Sequence, residues 1–323
     1  MTWTEFKKFL RFYSRFMPSF TAIGYHARLL ALRPIRADFT GQTWVVTGGS
    51  DGIGRAIALD AARRGARVFI IARVPERLDE VARMAPRPGS IIPIATDLML
   101  QSATEVLATR LIAEAGKIDV LVNNVGVLIG KWGQTPEGHE KSFAISLLNQ
   151  YVLTERLLAA NAFSATATVI NMASGGMFNA PLSLKMNAPT AEGYNGAYAY
   201  AMHKRGQAEL VKYWQEKHGA KGMRFYVMHP GWADTAGVKR SMPRFRKTLK
   251  SVLRTELQGG DTAIWLAAKR PVASPEAFWF DRAPRDAHAY DFTRKPKVTT
   301  AELVAFLDAA VAAGQARMKG AAA

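Results

Sequence analysis

Tyr200 and Lys204 stand four residues apart in Tyr200-Ala201-Met202-His203-Lys204. On a helix this spacing puts a phenol and an ammonium on one face, where the cation favours phenolate and fits the phenol to give and take a proton. Tyr198 has Met202 at the matching position and cannot form the same pair. Tyr-x-x-x-Lys arises by chance on many helices, so its meaning depends on what else converges on it.

A second set is Thr47-Gly48-Gly49-Ser50-Asp51-Gly52-Ile53-Gly54, which follows a short apolar run and opens a helical pattern. Glycines there let a backbone approach a pyrophosphate, and the helix start offers free N–H groups and the positive end of a dipole. The plainer alternative is a tight strand–helix turn with no ligand. The next apolar run ends Ile70-Ile71-Ala72-Arg73. A carboxylate at this place would take the ribose hydroxyls of NAD, whereas an arginine suits the extra phosphate of NADP, so Arg73 predicts NADP(H).

These residues need a frame. Thr43–Thr47, Arg67–Ala72, Ile91–Ala95, Val120–Asn123, Thr168–Met172 and Arg224–Met228 read as buried parallel strands. Residues 53–64, 76–85, 101–115, 138–160 and 198–217 read as helices between them. The alternation predicts an α/β fold with a doubly wound parallel sheet (Rossmann fold) in a single domain, with ligands at the carboxyl ends of the strands. Gly259-Gly260 precedes a helical run from Thr262 to Ala268, and Ala277–Phe280 reads as a last strand. The expected organisation is a basic amphipathic arm over 1–40, a dinucleotide-binding and catalytic domain over 41–299 with a substrate lobe at 236–256, and a helical tail over 300–323.

The ordered set Thr47-Gly-x-x-x-Gly-x-Gly54, Asn123-Asn124-Val125-Gly126, Ser174, Tyr200-x-x-x-Lys204 and Pro230-Gly231 followed by Thr235 resembles the short-chain dehydrogenase/reductase superfamily over residues 41–280. Within that span, His229 to Thr235, Ser174 to Met177, Gly259 to Thr262 and Phe280 to Arg282 resemble one subgroup and its bacterial relatives. The resemblance implies that Tyr200 exchanges a proton with the substrate oxygen while hydride moves between nicotinamide and carbon. It implies that Ser174 donates to that oxygen and that Lys204 holds the nicotinamide ribose. Thr235 would bond the carboxamide and Asp97 the adenine. Thr47, Gly48, Ser50, Asp51, Gly52, Ile53, Gly54, Asn124, Gly126, Pro230 and Gly231 would shape the rest of the cofactor cradle. Bringing a phenol from its usual pKa near 10 to neutrality needs about 4 kcal/mol of preference for phenolate. One position departs from the family: the Asn that joins a water to the lysine aligns with Ser146. Its hydroxyl could hold such a water, and Asn149 is one turn away. A nucleotide-binding regulatory or scaffold protein with weak turnover is the alternative this departure leaves open. His203 is expected at the helix surface or a pocket edge, and His229 as structural.

The chain has no Cys, which excludes disulfides and thiolate chemistry, and its six His show no close metal-binding pairing. Its formal charge of +17 is concentrated in two segments, residues 1–36 and 236–255. Such patches attract nucleic acid or an anionic bilayer, but no nucleic-acid recognition motif accompanies them. No apolar run is long enough to span a membrane, and the first residues lack the pattern of a signal peptide. Phe6, Phe9, Leu10, Tyr13, Phe16, Met17 and Phe20 instead predict an amphipathic helix. It either lies on an anionic membrane, covers the protein's own surface, or forms a homo-oligomer interface. Met177, Phe178, Leu182, Met186, Trp232, Met242 and Phe245 suit either a large apolar pocket or core packing. Together these features predict a cytoplasmic protein, peripheral on the inner face of a membrane, acting on a lipophilic carbonyl or alcohol.

Overall fold

The structure is a computed structural model, and it describes residues 14–272, 276–296 and 298–322. Among the described residues eight strands form one sheet: β1 (Thr43–Thr47), β2 (Arg67–Ala72), β3 (Ile91–Ala95), β4 (Ile118–Asn123), β5 (Phe163–Met172), β6 (Arg224–Met228), β7 (Ala277–Phe280) and β8 (Ala283–Asp286). Their order is β3-β2-β1-β4-β5-β6-β7-β8, parallel throughout except for the antiparallel edge strand β8. The chain reverses its direction of travel between β1 and β4, which opens a crevice beside Thr47 and Asn123.

Period-two alternation sends side chains to two cores. Val45, Phe69, Leu121, Val169 and Phe225 join one, and Trp44, Val46, Val68, Val122 and Tyr226 join the other. Helices cover both faces. In chain order they are α1 (14–20), α2 (Ala22–Leu29), α3 (Gly52–Arg63), α4 (Pro75–Arg83), α5 (Gln101–Glu114), α6 (Lys141–Phe143), α7 (Asn149–Ala159), α8 (Gly196–His218), α9 (Ala236–Ser241), α10 (Pro243–Leu249), α11 (Glu256–Lys269) and α12 (Thr300–Ala322).

Three features differ from the sequence reading. The stretch expected as one helix over 138–160 contains a π-turn at Ala144–Leu148 between α6 and α7. The helix expected from Thr262 starts at Glu256, after a Thr255/Gln258 capping box, and contains both glycines. An added Cβ at Gly260 would lie 2.8 Å from Ile57, so the glycines let α11 lie close on α3. Finally, β8 follows β7 through the two-residue turn Asp281-Arg282, with φ of 48° and 60°. Both residues adopt the left-handed conformation that suits the twist of a tight hairpin. Arg282 is held there by Asp261, with contacts of 2.7 and 2.5 Å, while Asp281 accepts from Arg254 at 2.6 and 2.9 Å.

Arg254 also donates to the carbonyls of Phe20 and Ser19 at 2.9 and 3.0 Å, and Arg28 binds Asp281. This network clamps the arm onto the domain. Phe16 and Phe20 are buried, Phe16 stacking on Phe178 and Phe20 meeting His229, Trp232 and Phe280 edge-on. That part of the apolar stripe therefore covers the protein's own surface; Phe6, Phe9, Leu10 and Tyr13 lie outside the described residues. In α12, Leu303 and Leu307 are buried and Asp308 accepts from the Tyr151 hydroxyl at 2.6 Å.

Candidate active site

Strands β1, β4 and β5 deliver the site at their carboxyl ends. After β1, Gly48 and Gly49 donate to the carbonyl of Ile71 at 2.7 and 3.2 Å, which folds the glycine turn onto β2. Asp51 caps α3, its Oδ1 accepting from the Gly52 N–H at 2.7 Å, and Arg77 approaches its other oxygen at 3.7 Å. A Cβ on Gly54 would sit 2.2 Å from the Gly48 carbonyl oxygen, so the helix can start this close to the strand only without a side chain. Ser50 and Ile53 are half-buried in the same turn, and Arg73 is exposed just past the end of β2. Asp97 lies past the end of β3, where Oδ1 accepts from the Met99 N–H at 3.0 Å.

Thr47 and Asn124 strap β1 to β4. The Thr47 hydroxyl accepts from the Asn124 and Val125 N–H groups at 2.9 and 3.2 Å, and the Asn124 amide donates to the Thr47 carbonyl at 2.9 Å. Their polar atoms shape the cradle through the backbone. Thr235 caps α9, its hydroxyl accepting from the Val238 N–H at 3.2 Å, and its methyl would lie 3.3 Å from a Cβ on Gly52. Gly231 has φ of 76°, and a Cβ there would lie 2.2 Å from Arg254 Nε. Pro230 offers its carbonyl to the same arginine at 3.5 Å. In this chain the Pro230-Gly231 corner thus makes room for the clamp on the arm.

Ser174, Tyr200 and Lys204 converge. Ser174 Oγ and the Tyr200 ring both lie within 4 Å of a Cβ placed on Gly176, and Ser174 Oγ accepts from the Gly176 N–H at 3.3 Å. Lys204 Nζ lies 5.5 Å from the centre of the Tyr200 ring and donates to the Met172 carbonyl at the end of β5 at 2.7 Å. A Cβ on Gly126 would meet Nζ at 2.5 Å and the Tyr200 ring at 3.8 Å, so the loop after β4 lies directly against the pair. Burial pushes the Tyr200 phenol up to about 12, partly offset by the Ser174 hydrogen bond. Burial also pushes the Lys204 ammonium down to about 7. Desolvation among the protein's own groups thus dominates, and the lowering expected from the lysine is not among the effects that act on the phenol.

Ser146 is fully buried in the π-turn. Its hydroxyl accepts from the Val127 N–H at 3.2 Å, and its carbonyl accepts from Gln207 Nε2 at 2.7 Å. Asn149 points elsewhere, donating to the Leu98 carbonyl at 2.9 Å. The sequence reading missed Gln207, which accepts from Lys204 Nζ at 3.2 Å. Its position one turn past the lysine on the same helix was the available signal.

His203 is buried, not at a surface or pocket edge, and its Nε2 donates to the Met186 carbonyl at 2.9 Å. Burial pushes its pKa down to about 4. Beside it, buried Glu140 accepts from the Ser142 and Phe143 N–H groups at 2.7 Å each and from Tyr194 Oη at 3.0 Å, tethering the segment between β5 and α8. His229 accepts from the Gly231 N–H at 2.9 Å through Nδ1 and packs among Phe20, Phe278 and Phe280. Met177, Phe178, Leu182 and Met186 are buried in the core, and of these Phe178 also lines a cavity with Phe16, Phe20, Phe278 and Phe280. Val127, in the loop after β4, and Tyr198, in the first turn of α8, are exposed. Among the described residues no group of His, Asp and Glu could hold a metal ion, and no helix is long and apolar enough to cross a membrane.

A family profile described as short chain dehydrogenase matches residues 42–244. The chain is 34% identical over 284 residues to the Bos taurus protein named dehydrogenase/reductase SDR family member 12, covering 85% of this chain and 88% of that protein. Its Homo sapiens counterpart is 31% identical over 285 residues, with the same coverage of 85% and 88%. Mus musculus retinol dehydrogenase 12 is 30% identical over 197 residues, covering 59% of this chain and 61% of its own. Among solved structures, the Pseudomonas aeruginosa RhlG/NADP active-site complex has a TM-score of 0.58 at 26% identity, covering 72% of this chain and 91% of its own. An uncharacterised Mycobacterium paratuberculosis protein shares the fold with a TM-score of 0.66 at 20% identity, covering 85% and 95%.

Proposed function

The chain belongs to the short-chain dehydrogenase/reductase family, a family of NAD(P)-dependent oxidoreductases, and from that premise we propose that it is an NADP(H)-dependent enzyme interconverting a lipophilic carbonyl and its alcohol. The observation that carries this reading is the convergence of Ser174, Tyr200 and Lys204, with Lys204 Nζ 5.5 Å from the Tyr200 ring and Gly126, in the loop after β4, against both. A bound nicotinamide supplies the hydride in reduction or accepts it in oxidation. In reduction Tyr200 Oη gives its proton to the substrate oxygen as the carbonyl carbon gains hydride, and Ser174 Oγ donates to the same oxygen. A phenol held near pKa 12 is protonated at neutral pH, so the protein's own groups favour the form that reduction uses. Lys204 would hold the nicotinamide ribose, and Gly48 to Gly54 the pyrophosphate, with Ser50, Asp51 and the start of α3 around it.

Exposed Arg73 past β2 supports NADP(H), as does the NADP complex of the 26% identical RhlG structure. The resemblance to a retinol dehydrogenase supports a lipophilic substrate, and Val127, in the loop that flanks the site, is an exposed apolar side chain. Lys239, Arg240, Arg244, Lys247 and Lys250 are exposed on α9 and α10 or just beyond α10, whereas Arg246 is paired with Asp234 at 2.6 Å and Arg254 is buried. Those five cations would dock the substrate lobe on the anionic inner face of a membrane, each contributing on the order of 1 kcal/mol at low salt. Co-sedimentation with phosphatidylserine vesicles tests this; absence of binding at low salt removes it. The chemistry is tested with NADPH and a panel of lipophilic ketones and aldehydes. Tyr200→Phe must lose turnover while still binding NADPH, and an undiminished rate would refute the assignment.

A further inference from the structure

We infer that Gln207 is the positioning residue that aims Lys204 at the reacting pair, holding the ammonium through a neutral amide ladder anchored on the loop after β4. The inference rests on the oxidoreductase reading for its catalytic meaning, but its geometry stands alone.

Gln207 is fully buried and uses both ends of its amide. Nε2 donates to the Ser146 carbonyl at 2.7 Å and to Gln150 Oε1 at 2.5 Å, which leaves Oε1 to accept from Lys204 Nζ at 3.2 Å. The reverse orientation would set its NH2 against the ammonium and its oxygen against two acceptors, so the network dictates which end meets the lysine. Gln150 Nε2 in turn donates to the Val125 carbonyl. Val125 precedes Gly126, whose Cα lies against Nζ, so the ladder closes a loop from the lysine back to the segment that flanks it.

The π-turn explains why a side chain can enter here. Its widened backbone exposes the Ser146 carbonyl to a partner from α8. The groups that touch Lys204 from other elements are uncharged: the Met172 carbonyl from β5 and Gly126 from the loop after β4. Beyond Gln207, the ladder adds the Ser146 carbonyl from the π-turn, Gln150 from α7 and the Val125 carbonyl from the loop after β4, all uncharged. The titratable groups beside it, Tyr200 and His203, both belong to α8. A carboxylate in place of Gln207 would fix the lysine as a cation. An amide oxygen orients it and leaves its proton affinity set by burial, which keeps Lys204 able to change charge near neutrality.

Gln207→Glu and Gln207→Met separate this role from packing. The first keeps the shape and the acceptor but adds charge; the second keeps the volume and removes the acceptor. The Lys204 Nζ signal is followed by 15N-lysine NMR across pH in the full chain, assigned by its loss in Lys204→Met. Gln207→Glu is expected to raise the Lys204 midpoint by about one unit or more, as a nearby opposite charge does. Gln207→Met is expected to lower kcat about tenfold with nucleotide KM changed less than about threefold, the pattern of a lost transition-state interaction. If Gln207→Met fails to fold, Gln207→Glu still decides. A midpoint moved by less than about 0.3 unit in folded Gln207→Glu overturns the inference, since a charge in contact shifts a pKa by 1–3 units. The NMR readout needs no turnover, so it remains decisive even if no carbonyl substrate is reduced.

Discussion

Lys204→Met should stabilise the protein most in acid and progressively less as pH rises. Lys204 is 1% exposed, and burial brings its pKa from the usual 10.5 to about 7. Below pH 7 both folded and unfolded chains carry the proton, and the folded state bears the full desolvation penalty, about 3.5 units or 5 kcal/mol. Between 7 and 10.5 the unfolded chain binds more protons, so the wild type gains stability with rising pH, by up to about 1.4 kcal/mol per unit. The variant lacks this dependence. From pH 7 to 9 the wild type therefore gains about 2 to 3 kcal/mol relative to Lys204→Met. Loss of the donor to the Met172 carbonyl and Gln207 Oε1, about 1–3 kcal/mol for each group left unpaired, offsets much or all of that gain in the variant, but this offset is independent of pH, so the prediction is the change of the gap with pH. With an unfolding entropy of about 2.1 cal/mol/K per residue, a chain of 323 residues shifts by about 1.5 °C per kcal/mol. Differential scanning fluorimetry should then show the Tm gap between variant and wild type moving by about 3 to 4 °C from pH 7 to 9. Because other titrating groups are common to both proteins, a gap constant within about 1 °C would mean that Lys204 is not a buried base of low proton affinity.

Asp281→Asn leaves Arg254 and Arg28 without their shared carboxylate and should cost about 3–5 kcal/mol, a Tm loss of several degrees. Hydrogen exchange should quicken over residues 19–28, and unchanged exchange there would deny that the clamp holds the arm. Gly54→Ala forces a methyl to 2.2 Å from the Gly48 carbonyl and should weaken NADPH binding by about 5-fold or more in a fluorescence titration, given the 1–3 kcal/mol typical of overpacking. Gly130→Ala, whose added methyl meets nothing within 4 Å, should leave binding intact. Alcohol oxidation should accelerate from pH 7 to 9 as the Tyr200 phenolate fraction grows, whereas carbonyl reduction should not; parallel profiles would remove Tyr200 from proton transfer.

The strands and the glycine turn were legible because each is written in contiguous residues. Val45 and Val46 alternate between two cores within one short run, and such runs are buried on both faces only in a parallel sheet. The Tyr200/Lys204 pair was legible for a similar reason, since a helix converts a spacing of four into a shared face. What stayed hidden depends on contacts between distant segments. Arg254 read as part of a basic patch, yet its charge is spent 27 residues away on Asp281, and nothing local to either residue announces the other. The Asp281-Arg282 turn also lacks the usual glycine or asparagine, and only the ion pairs to Arg254 and Asp261 show what holds it left-handed.

Ser146 departs from the family's pattern, and a residue-by-residue reading asks whether its hydroxyl can stand in for an amide. The fold poses a different question, because the hydroxyl turns to the Val127 N–H and the carbonyl receives Gln207. An amide reaching Lys204 is therefore present, supplied by α8 and braced by Gln150. Substitutions at Ser146 that keep the π-turn, such as Ser146→Ala, should perturb turnover less than those at Gln207, because they leave the lysine's acceptor in place. A Ser146→Ala loss larger than that of Gln207→Met would restore the hydroxyl to the centre of proton delivery.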